Sequence, residues 1–200
     1  MNLLKDWIGN KKTVFTTLGA SAHATEERQS QDFYATDPIA LKLLLREEKF
    51  SNVWECACGQ GHLSEVLKQT GIHGKSTDYI NRGYGDGQVD FLGIENQKWG
   101  GDIITNPPFR YAQEFIEKAL TIIDAERKVA MFLRIQFLEG KERGRFFKKH
   151  PPKFIYVSSR RIKCAKNGDF VKYSANSAIC YCWFVWEKGF KGETVLKWFN

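Results

Sequence analysis

Val53-Trp54-Glu55-Cys56-Ala57-Cys58-Gly59-Gln60-Gly61-His62-Leu63 is the stretch on which the fold turns. An apolar run ends in Glu55, two glycines follow one residue apart, and Leu63, Val66 and Leu67 then recur at i, i+3, i+4 spacing. That pattern reads as a strand, a tight turn and an amphipathic helix. Glycines at such a junction let the chain turn sharply and let a ligand come close to the backbone. A complete dinucleotide fingerprint needs a third glycine, and Ser64 stands in its place, which argues against NAD. Working outward, Lys75-Ser76-Thr77-Asp78 ends a second strand on a carboxylate. Glu55 and Asp78 therefore both fall at C-terminal strand ends, the edge at which open α/β sheets take their ligands. Carboxylates there suit a ligand with an ammonium group and ribose hydroxyls better than one with phosphates.

A second stretch, Asp102-Ile103-Ile104-Thr105-Asn106-Pro107-Pro108-Phe109, runs from a buried-type strand into two prolines and an aromatic ring. Each proline lacks an N–H, has a fixed φ and pushes the residue before it into an extended conformation. Asn-Pro-Pro-Phe is thus a rigid corner that presents the Asn106 amide oxygen, main-chain carbonyls and one aromatic face. It suits a planar molecule whose amino group is held by two acceptors and whose ring is stacked.

Periodicity gives the remaining order of elements. Helices are expected over 38–48, 62–70, 110–123 and 139–149. Strands are expected over 52–57, 73–78, 101–106, 127–134, 153–159 and 177–187, with a short one near 88–91. Alternating strands and helices argue for a parallel sheet covered on both faces. The last two strands have no helix between them, so they should form an antiparallel pair. Residues 1–30 are polar and read as a flexible arm; residues 31–200 read as one domain, a size that holds a full core.

Composition narrows the class. No run reaches the ~18 apolar residues of a membrane span, and the N-terminus has no signal-peptide apolar region. The five cysteines, an odd number, suggest reduced thiols in a cytoplasm. Cys56-x-Cys58 and Cys180-x-Cys182 have the wrong spacing for a zinc ribbon, so no metal is expected. Gly74-Lys75-Ser76 mimics the end of a phosphate loop, but Gln69 stands where its first glycine belongs. Charge is uneven: residues 127–172 hold 14 Lys or Arg against Glu139, Glu142 and Asp169, a net of +11 in a chain of net +7. A basic third on a mildly acidic body is the footprint of a phosphate backbone. Arg160, Arg161, Lys163 and Lys166, with Asn167 beside them, lie in a connection between two strands and are the candidate nucleic-acid contacts. The run Lys141–Lys149 reads equally well as a solvated helix face.

The two central stretches together resemble S-adenosylmethionine-dependent amino methyltransferases, and more closely the small adenine-specific DNA methyltransferases of bacteriophages and prophages. The likeness covers most of the chain. It includes Asp32-Phe33-Tyr34-Ala35-Thr36-Asp37-Pro38, Arg82-Gly83-Tyr84-Gly85, Asp90-Phe91-Leu92, Phe137-Leu138-Glu139-Gly140, Cys164-Ala165-Lys166-Asn167-Gly168-Asp169 and Trp183-Phe184-Val185-Trp186-Glu187. Two positions depart from it: Cys56 stands where relatives usually have proline, and Asp37 stands in place of a proline of the Thr-Pro-Pro often seen there.

The resemblance implies a Rossmann-like class I methyltransferase sheet, mostly parallel with an antiparallel last strand, and a bacterial host cytoplasm. It assigns S-adenosyl-L-methionine to Tyr34, Thr36, Glu55, Ala57, Cys58, Gly59, Gly61, His62, Leu63, Asp78, Asp90 and Phe91. Within that set Glu55 holds the methionine end, Asp78 the ribose hydroxyls, and Asp90 with Phe91 the adenine. It assigns catalysis to Asn106, Pro107, Pro108 and Phe109, with DNA as partner through a flipped or single-stranded base. An RNA amino methyltransferase uses the same chemistry and stays open. A protein-glutamine methyltransferase normally carries a substrate domain ahead of the glycine motif, and only a short segment precedes it here. A non-catalytic nucleic-acid-binding module is disfavoured because both motifs are intact. Target sequence and oligomeric state, monomer or homodimer, are not legible.

Overall fold

The computed structural model describes residues 33–166, Gly168, Phe170 and residues 179–200, with Lys166 described by its backbone. The arm over 1–30, Asn167 and Asp169 lie outside the described residues.

In chain order the elements are β1 (Tyr34–Thr36), α1 (Ile39–Glu47), β2 (Val53–Glu55), α2 (His62–Gln69), β3 (His73–Ser76) and β4 (Ile103–Thr105). They continue as α3 (Ala112–Ile122), β5 (Lys128–Arg134), α4 (Lys141–Lys149), β6 (Phe154–Ser158), β7 (Cys164–Lys166), β8 (Tyr181–Glu187) and β9 (Val195–Phe199). Seven strands form one sheet in the order β3-β2-β4-β5-β8-β6-β9. The pairs β2·β3, β2·β4, β4·β5 and β6·β9 are parallel, and β8 runs antiparallel to both β5 and β6. β8 is the antiparallel strand the sequence leads one to expect.

The central strands are short and buried on both sides, as parallel strands under two helical layers must be. β5 shows how each strand serves both layers. Val129, Met131 and Leu133 pack with Phe115, Ile116 and Ala119 of α3 and Phe146 of α4. Ala130 and Phe132, pointing the other way, pack with Leu41 and Leu44 of α1 and Leu63, Val66 and Leu67 of α2. The period of two along the strand meets a helical period on each face.

Three features differ from the sequence reading. The strand near 88–91 is a single bridge between Asp78 and Gln88, because the chain turns over 91–93, where the Gly93 N–H donates to the Asp90 carbonyl at 3.2 Å. β9 has no counterpart in the periodicity. It lies beyond β6 with Val195, Leu196 and Trp198 exposed, so it has none of the alternation that marks a half-buried strand. β1 and β7, equally without a sequence signal, form a separate two-stranded antiparallel ribbon. Among the described residues no helix is long and apolar enough to cross a membrane.

Candidate active site

The C-terminal ends of β2, β3 and β4 open on one cavity of about 440 Å³. It gathers Tyr34, Thr36, Glu55, Ala57, Cys58, His62, Leu63, Asp78, Asp90 and Phe91 around the corner Asn106-Pro107-Pro108-Phe109. These residues come from distant parts of the chain, and parallel strands bring them to one edge.

Gly59 and Gly61 shape the floor without lining it. Gly59 has φ +56° and Gly61 φ +85°, both in the left-handed region. A Cβ on Gly59 would collide with Cε2 of Phe33, and one on Gly61 would collide with the Tyr84 ring. So both glycines are needed for conformation and for close approach. The Gly59 N–H donates to Asp78 Oδ2 at 2.7 Å, and the Ile80 N–H donates to Asp78 Oδ1 at 2.9 Å. Asp78 thereby ties the glycine turn to the end of β3.

Glu55 is buried at the end of β2. It accepts hydrogen bonds from the Ser64 hydroxyl and the Ser64 N–H. The Ser64 hydroxyl also lies 2.6 Å from that of Ser76, which is 2.7 Å from Nε2 of His73. Burial dominates over these bonds and pushes the Glu55 carboxyl up to about 8. Ser64, which in the sequence stands out only as an absent third glycine, is therefore a partner of the central carboxylate. Burial also raises the Cys56 thiol, pushes that of Cys58 up to about 12, and lowers His62 below the ordinary histidine value. Both thiols are protonated at neutral pH, and His62 is uncharged. Among the described residues no three His, Cys, Asp or Glu side chains converge as metal ligands.

The Asn106 corner follows β4 directly. Asn106 Nδ2 donates to the Tyr34 carbonyl at 2.9 Å, while Oδ1 is buried and has no donor among the described residues. Phe109 stacks on Tyr34 (centroids 6.1 Å) and Tyr181 (5.9 Å), and the Arg134 guanidinium stands 4.8 Å from its ring centre. The Phe109 ring is thus already braced, leaving what it exposes to the cavity for a ligand. Asp90 accepts from the Leu92 N–H at 3.1 Å. Phe91 is anchored in the core against Trp54 and Phe115, at 5.4 and 5.1 Å.

The basic connection lies outside the cavity lining. Arg160 and Arg161 are exposed and Lys163 is half-buried. The Lys163 carbonyl accepts from the Asp37 N–H at 3.1 Å, and β7 then pairs with β1. Further on, Gly168 passes so close to the glycine turn that a Cβ there would collide with Gln60 Oε1. Phe170 packs edge-on to His62 at 5.4 Å. The connection therefore runs past both the Asn106 corner and the start of α2. Sequence reasoning missed Phe33, Tyr79, Ile80 and Arg82 in the cavity wall. The aromatic and cationic residues flanking the assigned positions were the available signal.

Solved structures share this architecture. One described as a class I S-adenosylmethionine-dependent methyltransferase from Listeria monocytogenes has TM-score 0.55 at 14% identity, over 94% of this chain and 71% of its own. One described as an O-methyltransferase from Agrobacterium tumefaciens has TM-score 0.56 at 12% identity, over 81% and 85%. The M protein of the type I restriction enzyme EcoKI has TM-score 0.52 at 13% identity, over 92% of this chain and 48% of its own. The fold is that of the class I methyltransferases. The chain spans about half the length of the EcoKI subunit. No protein-family profile matches the sequence, and no curated protein does.

Proposed function

We propose that the chain is an S-adenosylmethionine-dependent methyltransferase that acts on the exocyclic amino group (N6) of adenine in DNA. The observation that carries this reading is the Asn106 amide. Its N–H is engaged by the Tyr34 carbonyl, its oxygen is buried without a donor among the described residues, and the residue lines the cavity that holds Glu55 and Asp78. A buried acceptor without a donor costs free energy, and a bound amino group would satisfy it.

The cavity fits the cofactor by its chemistry. Glycines clear the floor for close approach, Glu55 suits an ammonium group, and Asp78 sits where ribose hydroxyls meet the end of the second strand. When bound, S-adenosylmethionine supplies an electrophilic methyl group on sulfur. The protein supplies alignment. An adenine amino group is a poor nucleophile because its lone pair is delocalised into the ring. Asn106 Oδ1 and the Pro107 carbonyl accept its two N–H bonds and draw the nitrogen toward tetrahedral geometry, and Phe109 holds the ring. Positioning of this kind supplies most of the rate in reactions made effectively unimolecular. A base inside a duplex cannot reach the corner, so it is flipped out or single-stranded. A nucleic acid is favoured over a protein amide by the basic connection beside the corner. The shared fold of a restriction-modification M protein is consistent with it.

The test is Asn106→Ala. Methyl transfer should fall roughly a hundredfold to a thousandfold, the usual cost of one preorganised polar group, while calorimetry shows cofactor affinity nearly intact. Wild-type turnover in this variant would remove amine methylation from the corner. Asp78→Ala, in the same titration, should lose cofactor affinity.

A further inference from the structure

The strand that holds Asn106 in place lies outside the main sheet. Tyr34, whose carbonyl takes the Asn106 N–H, is the first residue of β1. β1 pairs with β7 so that Tyr34 faces Lys166, Ala35 faces Ala165 and Thr36 faces Cys164. The Asp37 N–H donates to the Lys163 carbonyl. Hydrogen-bonded pairs alternate along an antiparallel ladder, so Ala35 and Ala165 form the next such pair. The Tyr34 ring meanwhile stacks on Phe109. One residue therefore grips the amide through its main chain and the aromatic ring through its side chain, and Tyr34 and Thr36 also border the cavity beside Glu55. A two-stranded ribbon is marginally stable by itself, so its position depends on what it touches.

We propose that the β1–β7 ribbon is a positioning device for methyl transfer, in which the Tyr34 carbonyl selects the orientation of the Asn106 amide and so aims its oxygen at the target amine. This rests on the reading above. An asparagine side chain can present either its oxygen or its NH2 group, and only the oxygen accepts from an amine. The Tyr34 carbonyl is an acceptor alone, so it engages the NH2 and leaves the oxygen without a donor, free to accept one. Flipping the amide would set two acceptors against each other on one side and two donors on the other. The exposed basic residues Arg160 and Arg161 lead through Lys163 into β7. The strand that continues from the proposed phosphate contacts is thus the pairing partner of the strand that holds the catalytic amide.

The test joins amide hydrogen exchange to single-turnover kinetics, using the full chain and an adenine-containing oligonucleotide. Asn106→Ala removes the donor to Tyr34. Exchange over Tyr34–Thr36 and Cys164–Ala165 should accelerate about tenfold, the equivalent of one hydrogen bond, with β4 and β5 unchanged. Ala165→Pro deletes the N–H that faces Ala35, at a residue that does not line the cavity. It should lower kcat about a hundredfold, the scale of a 1 Å misplacement, with KM for the oligonucleotide nearly unchanged. Wild-type exchange in Asn106→Ala overturns the proposal, as does wild-type kcat in Ala165→Pro or a loss confined to KM. Should Ala165→Pro fail to fold, the exchange result decides. A wild-type chain that methylates no oligonucleotide contradicts the proposed function instead, and the exchange result still decides for or against the ribbon.

Discussion

Glu55 has two demands placed on it that pull in opposite directions. Burial holds its carboxyl at about 8, so in the free protein it is protonated at neutral pH. Pairing with the ammonium of a bound cofactor needs the anion. Cofactor binding at pH 7 should therefore release about one proton, and apparent affinity should rise close to tenfold per pH unit below 7.5. Calorimetry in two buffers of different ionisation enthalpy measures that proton, and Glu55→Gln should erase the pH dependence. Binding at pH 7 without proton release would take the ammonium role away from Glu55. The sign for the free fold is the reverse. A carboxyl raised by folding contributes stability that is present below its ordinary value of 4.5 and is lost as pH rises through 8. Glu55 and Asp78 were legible as site residues because a carboxylate at a strand end has a known use. The partnership of Glu55 with Ser64 was not, since nothing in a sequence says that a helix serine will fold back on a strand glutamate.

At the scale of elements, the glycine turn is the most constrained. Gly59→Ala places a Cβ at positive φ against the Phe33 ring. The variant should bind the cofactor at least tenfold more weakly and melt several degrees lower, measured by calorimetry and thermal unfolding. Unchanged affinity would mean that the turn does not cradle the cofactor. The basic connection makes a separate prediction. Arg160→Ala combined with Arg161→Ala should weaken DNA binding and leave cofactor affinity unchanged. Its log–log salt slope should flatten by roughly 0.9 for each phosphate that is no longer neutralised. An unaltered slope would move the DNA-binding surface elsewhere, most directly to α4. The helices and the two glycine- and proline-marked strands were readable because each carries a local signal. β1 and β7 were not, because each is three residues long. A pairing between segments so far apart in sequence leaves no local period to detect. β9 escaped for the opposite reason: its exposed apolar side chains resemble neither a buried nor a half-buried strand.

Over the whole molecule, one sheet edge collects the carboxylates for a cationic ligand, the acceptor corner for an amine and, just outside, a run of positive charge. The parallel order of β3, β2 and β4 does the collecting, and the ribbon spans from the basic connection to the corner. Charge asymmetry was visible in the sequence. Its meeting with the corner was legible as well, since the strand ending at the basic connection, β6, runs parallel to β4 as expected and ends at the same edge; the return of β7 to β1 was not. Product identification decides whether the corner methylates adenine in DNA. The protein is incubated with methyl-labelled S-adenosylmethionine and, separately, DNA, RNA and protein; the DNA and RNA are then digested to nucleosides and the protein to amino acids. Label should appear in N6-methyldeoxyadenosine from DNA, and at equal times the Asn106→Ala variant should give roughly a hundredfold to a thousandfold less. Label found in RNA or protein but not in DNA, or in an adenine position other than N6, would contradict that reading.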